Sequence, residues 1–315
     1  MKVLVFEFMV GGGVADQHPF DAELQVFFRQ GHGMLRAVCE DLLSLGHQVI
    51  VPVDVQAEAE LPDDVERVDV ERESDVDSVL LAAASEADRI LLIAPETDGC
   101  LERLANLLND FAHKFIGPDV GLIRLAADKW KCHQWYVQHK VPCPDSILLT
   151  DEGVDPQLPM EFFPCVVKPV DGAGSEGVRL ISSMSELAVV ARPLLMQKFV
   201  VGAPVSVSVI VESSEAVHFL EPGRQIFDSD PFGVHLRTQY PLESGLRERA
   251  LSLARHVVET SPQFVGYVGI DMVLAEDAAS DVLIEINPRL TTSYCFLREW
   301  SKQNLAEKFP SLESR

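Results

Sequence analysis

Asp271, Glu285 and Asn287 are the residues whose types and spacing most directly suggest chemistry. Glu285 and Asn287 stand two apart in Leu283-Ile284-Glu285-Ile286-Asn287-Pro288-Arg289, so on a strand both side chains leave the same face. Asp271 lies in a second apolar run, residues 268–274, and the turn-prone stretch 276–281 would fold the two runs together. Three oxygen donors with Arg289 beside them suit Mg²⁺, which prefers oxygen and is commonly shared with phosphates. ATP-dependent chemistry is the first expectation. Two solvated surface acids are the bland alternative. It is disfavoured because a carboxylate within an apolar strand is costly to bury without compensation.

A second signal is Lys168-Pro169-Val170-Asp171-Gly172-Ala173-Gly174-Ser175-Glu176-Gly177. Gly172, Gly174 and Gly177 let backbone amides approach phosphate oxygens, and Ser175 adds a hydroxyl. Lys168, on the strand before, supplies a point charge for a phosphate. The loop lacks the Gly-Lys-Ser/Thr ending of a P-loop. Standing alone, such a glycine hairpin would as often be a structural turn; the preceding lysine and the distant acids make it more specific. Residues 195–202, containing Gln197, Lys198 and Val200, form a short strand and turn whose backbone could meet the edge of adenine. Arg224 and Gln225, in Glu221-Pro222-Gly223-Arg224-Gln225, could meet substrate, with a structural loop almost equally supported. His235 and Arg237 are weaker candidates, and Trp130, Trp135 and Tyr136 read as helix packing.

Positioning these residues requires a framework. Strands over residues 3–8, 48–53 and 89–93 alternate with helices over 34–45 and 101–111, which implies a parallel sheet with helices on both faces. The acidic stretch 54–88 reads as a solvated face or loop. Gly11-Gly12-Gly13 follows the first strand, where such folds place ligand loops. It misses the dinucleotide fingerprint, because Asp16 stands where a third glycine is needed. A flexible, substrate-facing loop is the favoured reading over a structural turn. A boundary falls near Gly117-Pro118. Beyond it come a helix from Asp128-Lys129 to His139, strands over 163–169 and 194–210, and a helix over 243–259.

Composition narrows the function further. The 315 residues are 47% hydrophobic and carry a net charge of −23, which disfavours nucleic acid and anionic membrane as partners. Six cysteines form no Cys-x-x-Cys pair and no zinc spacing, so free thiols in a reducing cytoplasm are expected. The opening residues read as a buried strand rather than a signal peptide, and no apolar run is long enough for a membrane span.

The order of these elements resembles the ATP-grasp superfamily. Asp128-Lys129 comes first, then Lys168 with its glycine loop, the turn at Gln197–Gly202, Asp271, and Glu285-Ile286-Asn287-Pro288-Arg289. The resemblance implies an α/β chain with a Rossmann-like parallel-sheet domain over 1–117, then a two-subdomain α+β ATP-grasp fold. Its small subdomain with the lid would span 118–196, and its C-terminal subdomain with the metal site 197–315. It implies ATP with two Mg²⁺ ions, Mn²⁺ being an admissible substitute. Lys129 and Lys168 would hold phosphates, and residues 172–177 would form a lid. Gln197, Lys198 and Val200 would line the adenine and ribose pocket, and Asp271, Glu285 and Asn287 would bind the metal. Arg289 would face the transferred phosphoryl group, with Lys168 and Arg224 as further catalytic candidates. Two departures stand out: Val201 replaces an acid that meets ribose, and Gly269 replaces an arginine. The motifs Val5–Gly13 and Asn287–Ser293 are similar to a tyramine–glutamate ligase-like group linked to methanofuran synthesis.

The resemblance implies an ADP-forming carboxylate–amine ligase with an acyl-phosphate intermediate, joining glutamate to an aromatic amine such as tyramine. The partners would be small-molecule carboxylate and amine substrates, with a homodimer left open. Alternatives are a nucleotide-binding module without turnover and an ATP-grasp carboxylase or kinase.

Overall fold

The computed structural model describes residues 1–150, 160–172, 174, 177–186, 193–228 and 233–310. The first unit of structure is a parallel sheet of β1 (Lys2–Glu7), β2 (Gln48–Asp54), β3 (Val65–Val70) and β4 (Arg89–Ile93), in the order β3-β2-β1-β4. Alternation along β1 divides its side chains between two cores. Val3 and Val5 pack with Met34, Leu35, Val38 and Leu42 of helix α1 (Ala22–Ser44). Leu4 and Phe6 pack with α2 (Val76–Glu86) and α3 (Cys100–Leu107). Covered on both faces, the strand is apolar from Val3 to Phe6, as buried parallel strands usually are.

Three expectations change. Helix α1 begins at Ala22 rather than residue 34, because Asp21 caps it by accepting from the amides of Glu23 and Leu24. The acidic stretch 54–88 is not a loop: it contains β3 and α2. Apart from the fully buried Asp54, its acids are exposed or half-buried, while Val65, Val70, Val76, Leu80, Ala83 and Ala84 are buried beneath them. Gly11–Gly13 is buried rather than presented as an open loop. A Cβ at Gly11 would stand 2.3 Å from the Phe6 ring, and one at Gly13 2.4 Å from that of Phe8. These glycines allow close packing over the strand end, so the structural-turn reading holds.

Helices α4 (Val120–Ala127) and α5 (Lys129–Gln138) follow. They lead to an antiparallel sheet of β5 (Ser146–Leu149), β6 (Cys165–Pro169), β7 (Arg179–Ile181) and β8 (Leu194–Lys198), ordered β5-β8-β6-β7. The chain then enters a larger sheet of β9 (Gly202–Ser213), β10 (Ala216–Phe219), β11 (Gly223–Phe227), β12 (His235–Gln239), β13 (Gly266–Ala275) and β14 (Val282–Asn287). Its order is β12-β11-β9-β13-β14, with β10 on β9. Helix α6 (Ser244–Thr260) covers one face through Ala250, Leu251, Ala254 and Val257 against Val205, Val207 and Ile270. The opposite face is left for the site. Helix α7 (Ser293–Ser301) returns to α1: Tyr294 and Arg298 both donate to Asp41 at 2.6 Å. Among the described residues no helix is long and apolar enough to cross a membrane.

Candidate active site

Asp271 and Glu285 stand opposite one another in the antiparallel pairing of β13 and β14. Directly opposed residues share a face of the sheet. Asn287, two residues on, reaches the same cluster: its Nδ2 donates to Asp271 Oδ2 at 3.0 Å. Gln225 Nε2, from β11, donates to Asp271 Oδ1 at 3.2 Å. Burial and the neighbouring Glu285 charge push the Asp271 carboxyl up to about 7. Burial also acts to raise Glu285, but Lys129 and Lys168 outweigh it and hold that carboxyl below its ordinary value.

The two lysines arrive from different elements. Lys129 opens α5, whose N-cap Asp128 accepts from the amides of Trp130 and Lys131. Its ammonium lies 3.4 Å from Glu285 Oε2 and also donates to the carbonyl of Gly172. Lys168 pairs in register with Leu195 between β6 and β8 and is buried. Burial lowers it to about 8, against the pull of Glu285. Arg289 follows β14. Its Nη2 and Nε donate to a single oxygen, Glu96 Oε2, at 2.8 and 3.2 Å. Burial acts against the Arg289 charge, and Glu96 more than offsets it.

The structure thus gathers Lys129, Lys168, Gly172, Asp271, Glu285, Asn287 and Arg289. Gly174 and Gly177 adopt positive φ of 65° and 68°, which suits glycine, and Gly174 lies against Phe27 of α1. Ser175 falls outside the described residues. Gln197 is buried on β8, its amide donating to Ser146 Oγ at 3.1 Å; Lys198 is exposed at the strand end, and Val200 is half-buried in the link to β9. Val201 is 77% exposed. Arg224 is the correction. Its Nη2 pairs with Glu243 at 3.2 Å, two-thirds of that carboxylate being exposed, and it does not join the cluster. The reason is alternation: neighbours on β11 leave opposite faces, so Gln225 meets Asp271 while Arg224 points away. Gln225 could have been preferred on that ground. Glu96 carried no motif signal beyond its place just after a parallel strand.

Among the described residues no group of three His, Cys, Asp or Glu side chains could hold a metal. The cluster offers two carboxylates and one amide oxygen instead. Burial and, after it, repulsion from Glu285 raise Asp271, and a cation would relieve both, so these residues fit Mg²⁺ with phosphate oxygens completing its shell.

A parallel α/β unit ahead of two antiparallel sheets, with lysines and acids converging between them, defines a nucleotide-handling architecture. Residues 126–293 match the ATP-grasp domain and residues 47–120 the pre ATP-grasp 3 domain. The chain belongs to the ATP-grasp family. It is 26% identical over 217 residues to a tyramine–L-glutamate ligase of Methanocaldococcus fervens, covering 68% of this chain and 62% of that one. It is 26% identical over 195 residues to a carbamoyl-phosphate synthase of Methanobrevibacter smithii, covering 57% of this chain and 52% of the relative. The chain therefore spans only about half to three-fifths of the length of these relatives. The crystal structure of an ATP-grasp superfamily protein from Archaeoglobus fulgidus aligns with TM-score 0.69 at 20% identity, over 95% of this chain and 88% of that one. At that identity the likeness speaks for the fold.

Proposed function

We propose that this chain is an ADP-forming carboxylate–amine ligase. A substrate carboxylate oxygen attacks the γ-phosphorus of ATP, the bond to the β–γ bridging oxygen breaks, and ADP leaves. An amine nitrogen then attacks the acyl carbon, phosphate departs with the C–O bonding pair, and the nitrogen sheds a proton. Such transfer needs positioning and charge neutralisation rather than a protein nucleophile. Lys129 and Lys168 would grip phosphate oxygens, and Arg289 would face the transferred group. Asp271, Glu285 and Asn287 would hold Mg²⁺, which supplies charge neutralisation on the phosphates when bound. Residues 172–177 would cover the nucleotide and exclude water from the acyl phosphate. Gln197, Lys198 and Val200 would line the base and ribose pocket, and a division at 117/118 would separate the first working unit; the expected division at 196/197 falls inside β8, and the step between the two later sheets lies between Lys198 and Gly202.

The observation that carries this reading is the convergence of Lys129, Gly172 and Glu285, which couples the phosphate-binding loop to the acidic strand. Similarity to a tyramine–L-glutamate ligase supports glutamate and an aromatic amine as substrates. Similarity to a carbamoyl-phosphate synthase supports a second reading, in which bicarbonate is the acid. ADP release is to be measured with acids and amines in pairwise combination, with Glu285→Ala as control. Release that requires both an acid and an amine supports the ligase. Bicarbonate-dependent release supports the second reading, and ATP binding without release from any pair overturns both.

A further inference from the structure

The C-terminal edge of the parallel sheet carries charges that the reaction above leaves unused. The order β3-β2-β1-β4 reverses at β1: the chain steps outward to β2 and β3, then returns to β4 on the other side. Open α/β sheets bind ligands in the crevice beyond the strand ends at such a reversal. Glu7 ends β1, and Glu96 follows the end of β4. Both are buried, at 4% and 5% exposure.

The hydrogen bonding of Glu96 is incomplete. Arg289 spends both Nε and Nη2 on Glu96 Oε2, and its Nη1 on the Leu290 carbonyl at 3.3 Å. Glu96 Oε1 is buried and has no hydrogen-bond partner among the described residues. Glu7 Oε2 accepts from the Val10 amide at 2.8 Å, and a Cβ at Gly31 would come within 2.2 Å of Glu7 Oε1. One guanidinium is therefore paired with Glu96 while also feeling Glu7, Glu285 and Asp271. A buried carboxylate oxygen without a donor is costly, and this crevice is short of positive charge.

We propose that Glu96 Oε1 receives the primary ammonium group of a substrate in the crevice between β1 and β4. The assignment rests on the ligase reading for its place beside the transferred phosphoryl group. The ammonium comes either from the amine substrate or from the α-position of an amino-acid substrate. The test uses two probe pairs: tyramine against its deaminated alcohol, 2-(4-hydroxyphenyl)ethanol, and L-glutamate against glutarate.

Calorimetric titration of the full chain with ATP analogue present should show at least tenfold tighter binding of the ammonium-bearing member in one pair. Which pair shows it names the source. Glu96→Gln should abolish that preference. No preference in either pair, including no binding at all, overturns the assignment, as does a preference that survives Glu96→Gln. If Glu96→Gln does not fold, Glu96→Asp provides the comparison: a reduced preference supports the site and an unchanged one removes it. Acid- and amine-dependent ADP release with an unaltered preference in the variant removes this assignment alone. An intact Glu96-dependent preference without any such release removes the ligase reading alone.

Discussion

Lys129 Nζ stands 3.4 Å from Glu285 Oε2 while donating to the carbonyl of Gly172, so one ammonium joins α5, the glycine loop and β14. Lys168 adds a second buried positive charge facing Glu285. Glu285 is therefore the counter-charge for two lysines, whereas Asn287 contributes an uncharged amide to Asp271.

That difference separates two substitutions. Glu285→Ala removes the shared counter-charge and leaves two lysines in mutual repulsion, so it should lower both turnover and stability. Asn287→Ala keeps the charge balance. It should cut turnover on the order of 10²-fold with a smaller loss of stability. ADP-release kinetics and urea denaturation of both variants provide the check; equal destabilisation by the two would contradict the charge argument.

Lys168 carries a charge that the fold holds at a cost. Burial lowers it from an ordinary 10.5 to about 8. Between those values the unfolded chain binds the proton that the folded chain has lost, so this group's contribution to stability rises with pH across that window. Lys168→Met should therefore stabilise the protein near pH 7, on the order of 1–3 kcal/mol, and lack the wild-type gain between pH 8 and 10. Turnover should fall about 10²–10³-fold. Denaturation at several pH values, together with steady-state ADP release, measures both.

The acidic strand and the lysine loop were legible in the sequence because their chemistry is local. Glu285 and Asn287 are two apart on one strand, and Lys168 immediately precedes its glycines. Strand period and motif order sufficed for the fold of the site. What could not be read depends on tertiary partners. The pairing of Glu96 with Arg289 joins residues from separate sheets, and nothing in the residues around Glu96 marks it. The stretch 54–88 misled because acidic outward faces masked the buried Val70, Val76 and Leu80. The motif Glu221–Gln225 does not distinguish Arg224 from Gln225; the facing of β11 does, turning Gln225 to Asp271 and Arg224 to Glu243.

Arg224→Ala should accordingly be near neutral. Its partner Glu243 is mostly exposed, and exposed ion pairs contribute roughly 0–1 kcal/mol. We expect less than about a threefold change in kcat/KM, equivalent to under roughly 0.7 kcal/mol. Gln225→Ala, which removes a donor to Asp271, should have the larger kinetic effect. A large loss in Arg224→Ala with a neutral Gln225→Ala would reverse the assignment.

Glu7 carries the opposite pH signature to Lys168. Burial pushes its carboxyl from an ordinary 4.5 up to about 7. Between these values the folded chain holds a proton that the unfolded chain has released, so its contribution to stability falls as pH rises through the window. The amount is on the order of 3 kcal/mol at most. Glu7→Gln, which mimics the protonated group, should flatten the pH 4.5–7 dependence and be more stable than wild type at pH 8. An unchanged pH–stability slope in the variant would show that Glu7 does not titrate in this range.

Gly174 joins the glycine loop to the first structural unit. It adopts φ of 65°, and a Cβ there would lie 2.8 Å from Phe27 Cε1. Gly174→Ala should therefore incur two separable penalties, the left-handed backbone, about 1–2 kcal/mol, and the clash with the ring. Phe27→Ala in the same chain removes only the second. If this contact forms over bound nucleotide, ATP affinity should fall in Gly174→Ala and recover in part, not wholly, in the double variant. A double-mutant cycle on ATP Kd gives the coupling directly. Strict additivity would mean that Phe27 and the loop do not meet in the nucleotide-bound protein, whereas complete recovery would mean that backbone strain at Gly174 is negligible.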